Sequence, residues 1–591
     1  MAFQIQDLHC MQYARDAPGP ENMDYKFFNN QYATSSYQEE HDMNPSLIVQ
    51  PKGDEDIIKT IKYAKGNRIA IAVKSGGHQY SGASSTGGKN IQIDLTNTYR
   101  DMMLLPEKTT TPDATAYVKI GVSNQLQDLI AYLSEHGLFV PTGQCAYVCA
   151  GGHGQTGGYG QLGRSFGLFG DYIRSIRMID HDGQVQSSIT KENPETKGLF
   201  YAILGGSPGN FGIITHYTVE VMRGSYYKGT IPGPNNIKGP AALKGLWLWR
   251  KEVLVKLLTA IATMAEDPTF PRGFDLCVSV FSKDSSVVPL LFPEVNSPFI
   301  QDLVKAFLGE FADEVSAFLN GSFPVIILYA QWCPTSPDDK YDKNVDKWFQ
   351  QFRDLNNKKK YWCLTVNEFS DKDKIPGSNK TWDMSSIAGQ WLFPERREYN
   401  LPYIKRIHSS NSTNFKSKIN GMSWAEHVAG RLDLVYNPNH IKDKKNTDQY
   451  ELYKHCKLSV QIQHFGGKNS KLHQNKDNGT SYSWRDSTIV QVLDCFHDEG
   501  NDGRGVSYRD LAVKYQADND AVFLGESGCF SSEDRRMLWG SYGDWDLGNP
   551  KIWKRYYDDE EKYQRLGKAR GKADPNGTFT PNPFAVTAVK D

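Results

Sequence analysis

Apolar positions recur at three- and four-residue intervals in DEDIIKTIKYAKG (54–66) and NQLQDLIAYLSEHG (124–137). That spacing predicts two amphipathic helices. Ser123 is placed to cap the second and Gly137 to end it. Short apolar runs at RIAIAV (68–73), NIQIDL (90–95) and AYVKIG (116–121) predict strands, and IRSIRMIDHDGQVQS (173–187) predicts two strands about a turn at Asp182-Gly183. These elements make residues 1–225 a small α/β domain with glycine-rich loops.

The texture changes at GSYYKGTIPGPNNIKGPAALKG (224–245), where Gly and Pro cluster as they do at a boundary. Beyond it, GLWLWRKEVLVKLLTAIATM (245–264) and FIQDLVKAFLGEFADEVSAFLN (299–320) read as helical. FDLCVSVF (274–281), FPVIILYAQW (323–332), KLSVQIQHF (457–465) and STIVQVLDCF (487–496) read as strands. An antiparallel sheet with helices is expected for 226–550, and a helix followed by an extended tail for 551–591. The fold class is α+β in two domains, which suits a chain of 591 residues.

Charge narrows the partners. The net charge is -1, which asks for neither nucleic acid nor a membrane surface. The first 25 residues hold no long apolar run, so no signal peptide or membrane span is expected and the expected location is cytoplasmic. Nine scattered cysteines form neither a zinc-type spacing nor a dense disulfide framework, and no metal site is expected.

Two glycine clusters carry the candidate chemistry. In SGGHQYSG (75–82), His78 follows two glycines; such a histidine can be a loop residue, a base, a metal ligand or an attachment point. PTGQCAYVCAGGHGQTGGYGQLGRSFGLFGDYI (141–173) holds a literal G-x-G-x-x-G at Gly158, Gly160 and Gly163. What precedes it is another loop rather than a strand, which argues against a dinucleotide fold of the Rossmann type. Backbone N–H groups in such a loop can still hold a pyrophosphate.

Taken in order, these two segments, then LFYAILGGSPGNFGIITHYTVEV (199–221) and the tail YYDDEEKYQRLGKARGKADPNGTF (556–579), resemble the berberine-bridge-enzyme-like oxidases of the vanillyl-alcohol-oxidase superfamily. The resemblance implies an FAD-binding domain at 1–225, a substrate domain at 226–550, and a segment at 551–591 that returns to the FAD domain. It also implies a bicovalent FAD, with His78 on the 8α-methyl and Cys145 on C6. A neutral imidazole and a thiolate are nucleophilic enough to add to an electron-poor flavin. Ser75, Gly76, Gly77, Gln79, Ser81 and Gly82 would flank the first attachment, and Thr142, Gly143 and Val148 the second. Gly151, Gly152, His153, Gly157, Gly158 and Gly160 would line the diphosphate, while Gly209, Gly212 and Ile213 would close over the cofactor.

On the substrate side, Tyr80 matches a family tyrosine near the flavin. LSVQIQHFGGKNS (458–470) resembles a segment of fungal oligosaccharide oxidases. Gln461 matches their substrate-side glutamine, Gln463 stands where they carry an aspartate that supports the base, and Gln491 falls near a further glutamine. The family's basic tyrosine position holds Trp539, and Tyr542 is the nearest ionisable candidate. In the family that the chain resembles, a small residue three positions after the cysteine leaves room for molecular oxygen, and that position here is Val148. The expected activity is oxidation of an alcohol, first a carbohydrate hydroxyl, with O2 reduced to H2O2, by a monomer or homodimer. The alternatives are an oxidoreductase acting on an aromatic or alkaloid-like secondary metabolite, and a catalytically silent flavin-binding protein.

Overall fold

The computed structural model describes residues 4–30, 41–107, 112–229, 231–282, 324–387, 402–436, 447–540 and 545–590. Its strands build three sheets. β1 (Met11–Ala14), β2 (Leu47–Gln50), β3 (Ile71–Lys74) and β4 (Ile91–Asp94) form the first, in the order β1-β2-β4-β3. β2 and β3 both run parallel to β4, and the helix Asp54–Asn67 makes the crossover between them. Ile57, Ile61 and Ala64 of that helix are fully buried, the face its periodicity predicts.

The second sheet comprises β5 (Met102–Leu104), β6 (Thr115–Gly121), β7 (Leu138–Phe139), β8 (Ile173–Ile179), β9 (Val185–Ile189) and β10 (Ile213–Arg223), with β10 at its centre. The third has seven strands: β11 (Ala241–Leu248), β12 (Phe274–Phe281), β13 (Val325–Trp332), β14 (Cys363–Ser370), β15 (Tyr403–Ser410), β16 (Cys456–His464) and β17 (Ile489–His497). All its pairings are antiparallel, in the order β14-β11-β13-β12-β16-β17-β15.

Alternation along the third sheet decides what each face does. On β16, Leu458, Val460 and Ile462 join the core formed with the helices Lys251–Glu266, Trp424–Tyr436 and Tyr508–Phe523. The intervening Ser459, Gln461 and Gln463 face the other way, toward the glycine-rich loops. On β17 it is Val490, Val492 and Asp494 that face the loops. The C-terminal chain reaches the first two sheets: Ile71 N–H donates to Thr578 O (2.7 Å) and Asn210 Nδ2 to Phe579 O (2.8 Å).

Three local expectations are corrected. The run 245–264 was expected to be helical throughout, yet it begins in β11, and its helix starts only at Lys251. Trp247, fully buried between β13 and β14, is a sheet residue; the helical period starts with Val253, Leu254, Leu257 and Leu258. Ser123 caps no helix: its hydroxyl donates to Leu95 O (2.6 Å), and Gln125 holds the N-cap position of the helix Leu126–Glu135. The tail carries two helices, Pro550–Tyr556 and Glu560–Ala573, each with its own cap, Asn549 and Asp559. The helix expected at 299–320 lies outside the described residues. No helix among the described residues is long and apolar enough to cross a membrane.

Candidate functional site

A cavity of about 260 Å³ opens between the glycine-rich loops and the loop-facing side of the third sheet. The chain leaves β3 at Lys74 and turns through Gly77 (φ +66°), a left-handed conformation that suits glycine. That turn brings His78 and Tyr80 to the cavity wall. His78 Nδ1 donates to Gly76 O (3.1 Å), so the loop backbone fixes the ring. The segment 143–148 continues that lining through Gly143, Gln144, Cys145 and Val148. Cys145 Sγ lies in contact with His78 Nε2 at 3.8 Å.

Below them the helix Ala150–Gln155 and the loop 157–163 form a floor of glycines. Several of these positions admit no side chain for steric reasons: a Cβ on Gly160 would sit 1.6 Å from Thr142 O, and one on Gly158 2.5 Å from Phe169 Cβ. Two differ. A Cβ on Gly152 or Gly209 would meet nothing within 4 Å, because both face the open cavity. His153 Nε2 accepts from Gly143 N–H (2.9 Å), and burial pushes its pKa down to about 3, so it is a neutral brace between the two loops. Burial likewise pushes the Cys149 thiol up to about 12, which makes it an inert packed neighbour.

Sequence expectation and geometry meet at Ser75, Gly76, Gly77, His78, Gln79, Tyr80, Gly143, Cys145, Val148, Gly151, Gly152, His153, Gly158, Gly209, Gly212, Gln461, Gln463 and Trp539, all of which line the cavity. Ser81, Gly82, Thr142, Gly157 and Gly160 stand behind that lining; Gly160 O accepts from Gln463 Nε2 (2.5 Å). Ile213 points into the core, and its neighbour Ile214 lines the cavity instead, as alternation along β10 requires. Gln491 is on the far face of β17, where it bonds Trp424 Nε1 (3.2 Å) and lies 3.3 Å from His408 Nδ1. Tyr542 lies outside the described residues.

The sequence reading missed the far end of the cavity. There Phe281, Ser459, Asp494 and Lys405 form one row across four neighbouring strands, β12, β16, β17 and β15. Lys405 Nζ lies 2.6 Å from Asp494 Oδ1, both side chains 2% exposed, and 4.5 Å above the Tyr80 ring. Asp494 left a signal in the sequence: it occupies the same alternating face as Val490 and Val492, where a carboxylate interrupts an apolar run.

The lining fits a flavin nucleotide. Gly152 and Gly209 present bare backbone to the cavity, and the Trp539 indole N–H is buried with no hydrogen-bond partner among the described residues. His78 and Cys145, an imidazole and a thiol, both line this cavity.

Comparison with known proteins agrees. The model of the FAD binding domain family matches residues 45–188. Berberine bridge enzyme-like 23 of Arabidopsis thaliana is 31% identical over 186 residues, 30% of this chain and 32% of that protein. The chain thus spans about a third of the length of the first curated relatives it matches. Berberine bridge enzyme-like C-1 of Nicotiana tabacum is 24% identical over 578 residues, 94% of this chain and 87% of that protein. Among solved structures, glucooligosaccharide oxidase from Acremonium strictum superposes with a TM-score of 0.62 at 14% identity, covering 98% of each chain. Xylooligosaccharide oxidase from Myceliophthora thermophila gives 0.62 at 16% identity, again over 98% of each. At such identities the structural likeness speaks for the fold. The match gives the chain an FAD-binding domain at residues 45–188, and the curated relatives and solved structures make it similar to the berberine-bridge-enzyme-like flavoproteins.

Proposed function

We propose that the protein is an FAD-linked oxidase of a CH–OH group, with FAD attached to both His78 and Cys145 and O2 as the electron acceptor. The observation that carries this reading is the 3.8 Å approach of Cys145 Sγ to His78 Nε2 within a glycine-floored cavity. The Acremonium relative's structure is described as holding a 6-S-cysteinyl, 8α-N1-histidyl FAD, which supports the same pair of attachments here. Bound FAD supplies the hydride acceptor that no side chain can provide.

The chain's own part is positioning and proton handling. Gly151, Gly152, Gly158 and Gly209 hold the diphosphate through backbone. Gln463, by donating to Gly160 O, fixes the glycine loop against the third sheet and so sets the distance between cofactor and substrate wall. Gln461, held by Gln144 Oε1 (2.9 Å), presents an amide to a substrate hydroxyl. Tyr80 and Trp539 close the cavity on either side; Gln79 Nε2 donates to Leu538 O (2.9 Å) and ties the two together. Val148 leaves space beside the Cys145 attachment for oxygen.

The amides of Gln144, Gln461 and Gln463 with Ser459 favour a carbohydrate hydroxyl. The apolar stretch of Phe281, Val490 and Val492 favours an aromatic alcohol as the second reading. Mixing the yellow protein under nitrogen with xylobiose, and separately with 4-hydroxybenzyl alcohol, tests both. Bleaching by one followed by peroxide release in air supports the oxidase and names the class. A spectrum unchanged by sugars and aromatic alcohols alike would leave the silent flavin-binding alternative.

A further inference from the structure

Oxidation of an alcohol releases a proton from the hydroxyl, and the position that the resemblance assigns to a tyrosine base holds Trp539, which cannot accept one. The titratable side chains lining the cavity among the described residues are few enough to take in turn. On the proposed function, His78 and Cys145 are consumed by attachment. Cys149 is held as a thiol and His153 as a neutral brace. Burial raises the Tyr159 phenol, which keeps its proton. Among the described lining residues that leaves Tyr80, Lys405 and Asp494, Tyr542 lying outside them, and Asp494 is the only carboxylate in that described lining.

Geometry then separates these three. Both oxygens of Asp494 are within reach of Lys405 Nζ, at 2.6 and 2.8 Å, on adjacent strands in direct register. The buried lysine gives the carboxylate a charged hydrogen-bond partner and fixes its direction. The same ammonium lies against the Tyr80 ring, whose edge packs on Tyr403. Tyr80 is two residues from His78, so the trio spans from the proposed attachment to the substrate wall.

We propose that Asp494 is the proton acceptor of the reaction and that Lys405 is its positioning residue. The assignment rests on the oxidase reading above. The substrate O–H bond breaks and its proton bonds to an Asp494 oxygen. The electron pair left on the substrate oxygen becomes the second bond of the carbonyl, while the carbon's hydride leaves with its pair to FAD, the oxidant. Ser459, between Asp494 and Phe281 in the same row, is placed to orient the hydroxyl. A one-residue shift on β17 would carry Asp494 to the opposite face, so this function depends on the register that puts Gln491 away from the cavity.

The test follows flavin bleaching under nitrogen with whichever of xylobiose and 4-hydroxybenzyl alcohol bleaches the wild type, across a range of pH. Asp494→Asn should slow bleaching by about 10²–10⁴-fold and abolish the acid limb of the profile. The chromophore should remain attached after acid denaturation. The titratable groups around Asp494 are Lys405 and Tyr403 from β15, Tyr80 and His78 from the loop after β3, and Cys145 from the segment 143–148. Lys405→Met should displace that limb and Lys405→Arg should largely restore it, which a merely structural lysine would not do. The double change Asp494→Asn with Lys405→Met removes both charges; it should be as slow as Asp494→Asn and serves where the single variant does not fold. An acid limb and a rate retained in either Asp494 variant would overturn the assignment, as would loss of both in Tyr80→Phe alone. If neither probe bleaches the wild-type flavin, the oxidase reading and this assignment fall together.

Discussion

Asp275 Oδ1 accepts the backbone N–H of Arg164 at 2.8 Å, joining the third sheet to the end of the glycine-rich loop. The Ser165 hydroxyl donates to the other oxygen. The Arg164 side chain reaches back to Phe274 O (3.2 Å), Pro271 O (3.0 Å) and Asn469 Oδ1 (3.1 Å), and also to Gly466 O. Burial outweighs mutual attraction for both partners: it pushes the Asp275 carboxyl up to about 7 and the Arg164 guanidinium down to about 10.

This pair makes stability depend on pH. A carboxyl with a raised folded-state value binds more protons folded than unfolded, so its contribution is present at acid pH and lost as pH rises from about 4 to about 7. The loss is on the order of a few kcal/mol. Thermal melting of the wild type should fall across that window, and Asp275→Asn, which keeps an acceptor for the Arg164 N–H, should flatten the fall. Parallel melting curves for the two proteins would show that Asp275 does not carry it.

Glycines at the cavity divide by what a side chain would meet. Gly152→Val adds atoms only to open space, so the chain should fold with little change in stability and yet take up less than a tenth of the wild-type FAD. Gly160→Ala drives a Cβ into Thr142 O and should destabilise the protein itself. Flavin content per folded chain, measured for both, checks the assignment. Full FAD loading in Gly152→Val would remove this wall from the cofactor site.

On the proposed function, oxygen reaches the flavin beside Val148, which lines the cavity. Val148→Leu should slow reoxidation of reduced flavin by air ten-fold or more, about 1.4 kcal/mol of barrier, with reduction by substrate nearly unchanged. Stopped-flow mixing with oxygenated buffer measures it. Equal reoxidation in the two proteins places the oxygen path elsewhere.

Much of the glycine-rich lining of the cavity was legible because it is local in sequence. SGGH and PTG-x-C are contiguous motifs, and a loop that follows a strand carries its glycines to the cavity whatever the tertiary register. The substrate wall was not legible in the same way. Lys405 and Asp494 are brought together only by the pairing of β15 with β17, and nothing in either segment specifies that neighbour. Gln491 fell one residue off for the same reason: period-two alternation says which residues share a face, and only packing says which face meets the loops. The stretch at 245–264 misled because Trp247 and Leu248 satisfy a helical pattern that the sheet claims first.

The attachment itself is the most direct test of the account. Wild-type protein denatured in acid should keep one yellow chromophore per chain, and protease digestion should give a flavin-bearing product that joins the peptides containing His78 and Cys145. His78→Ala and Cys145→Ala should each retain flavin through the remaining link, and the double variant should release it all. FAD free in the supernatant of denatured wild type, with both peptides at their unmodified masses, would contradict the account.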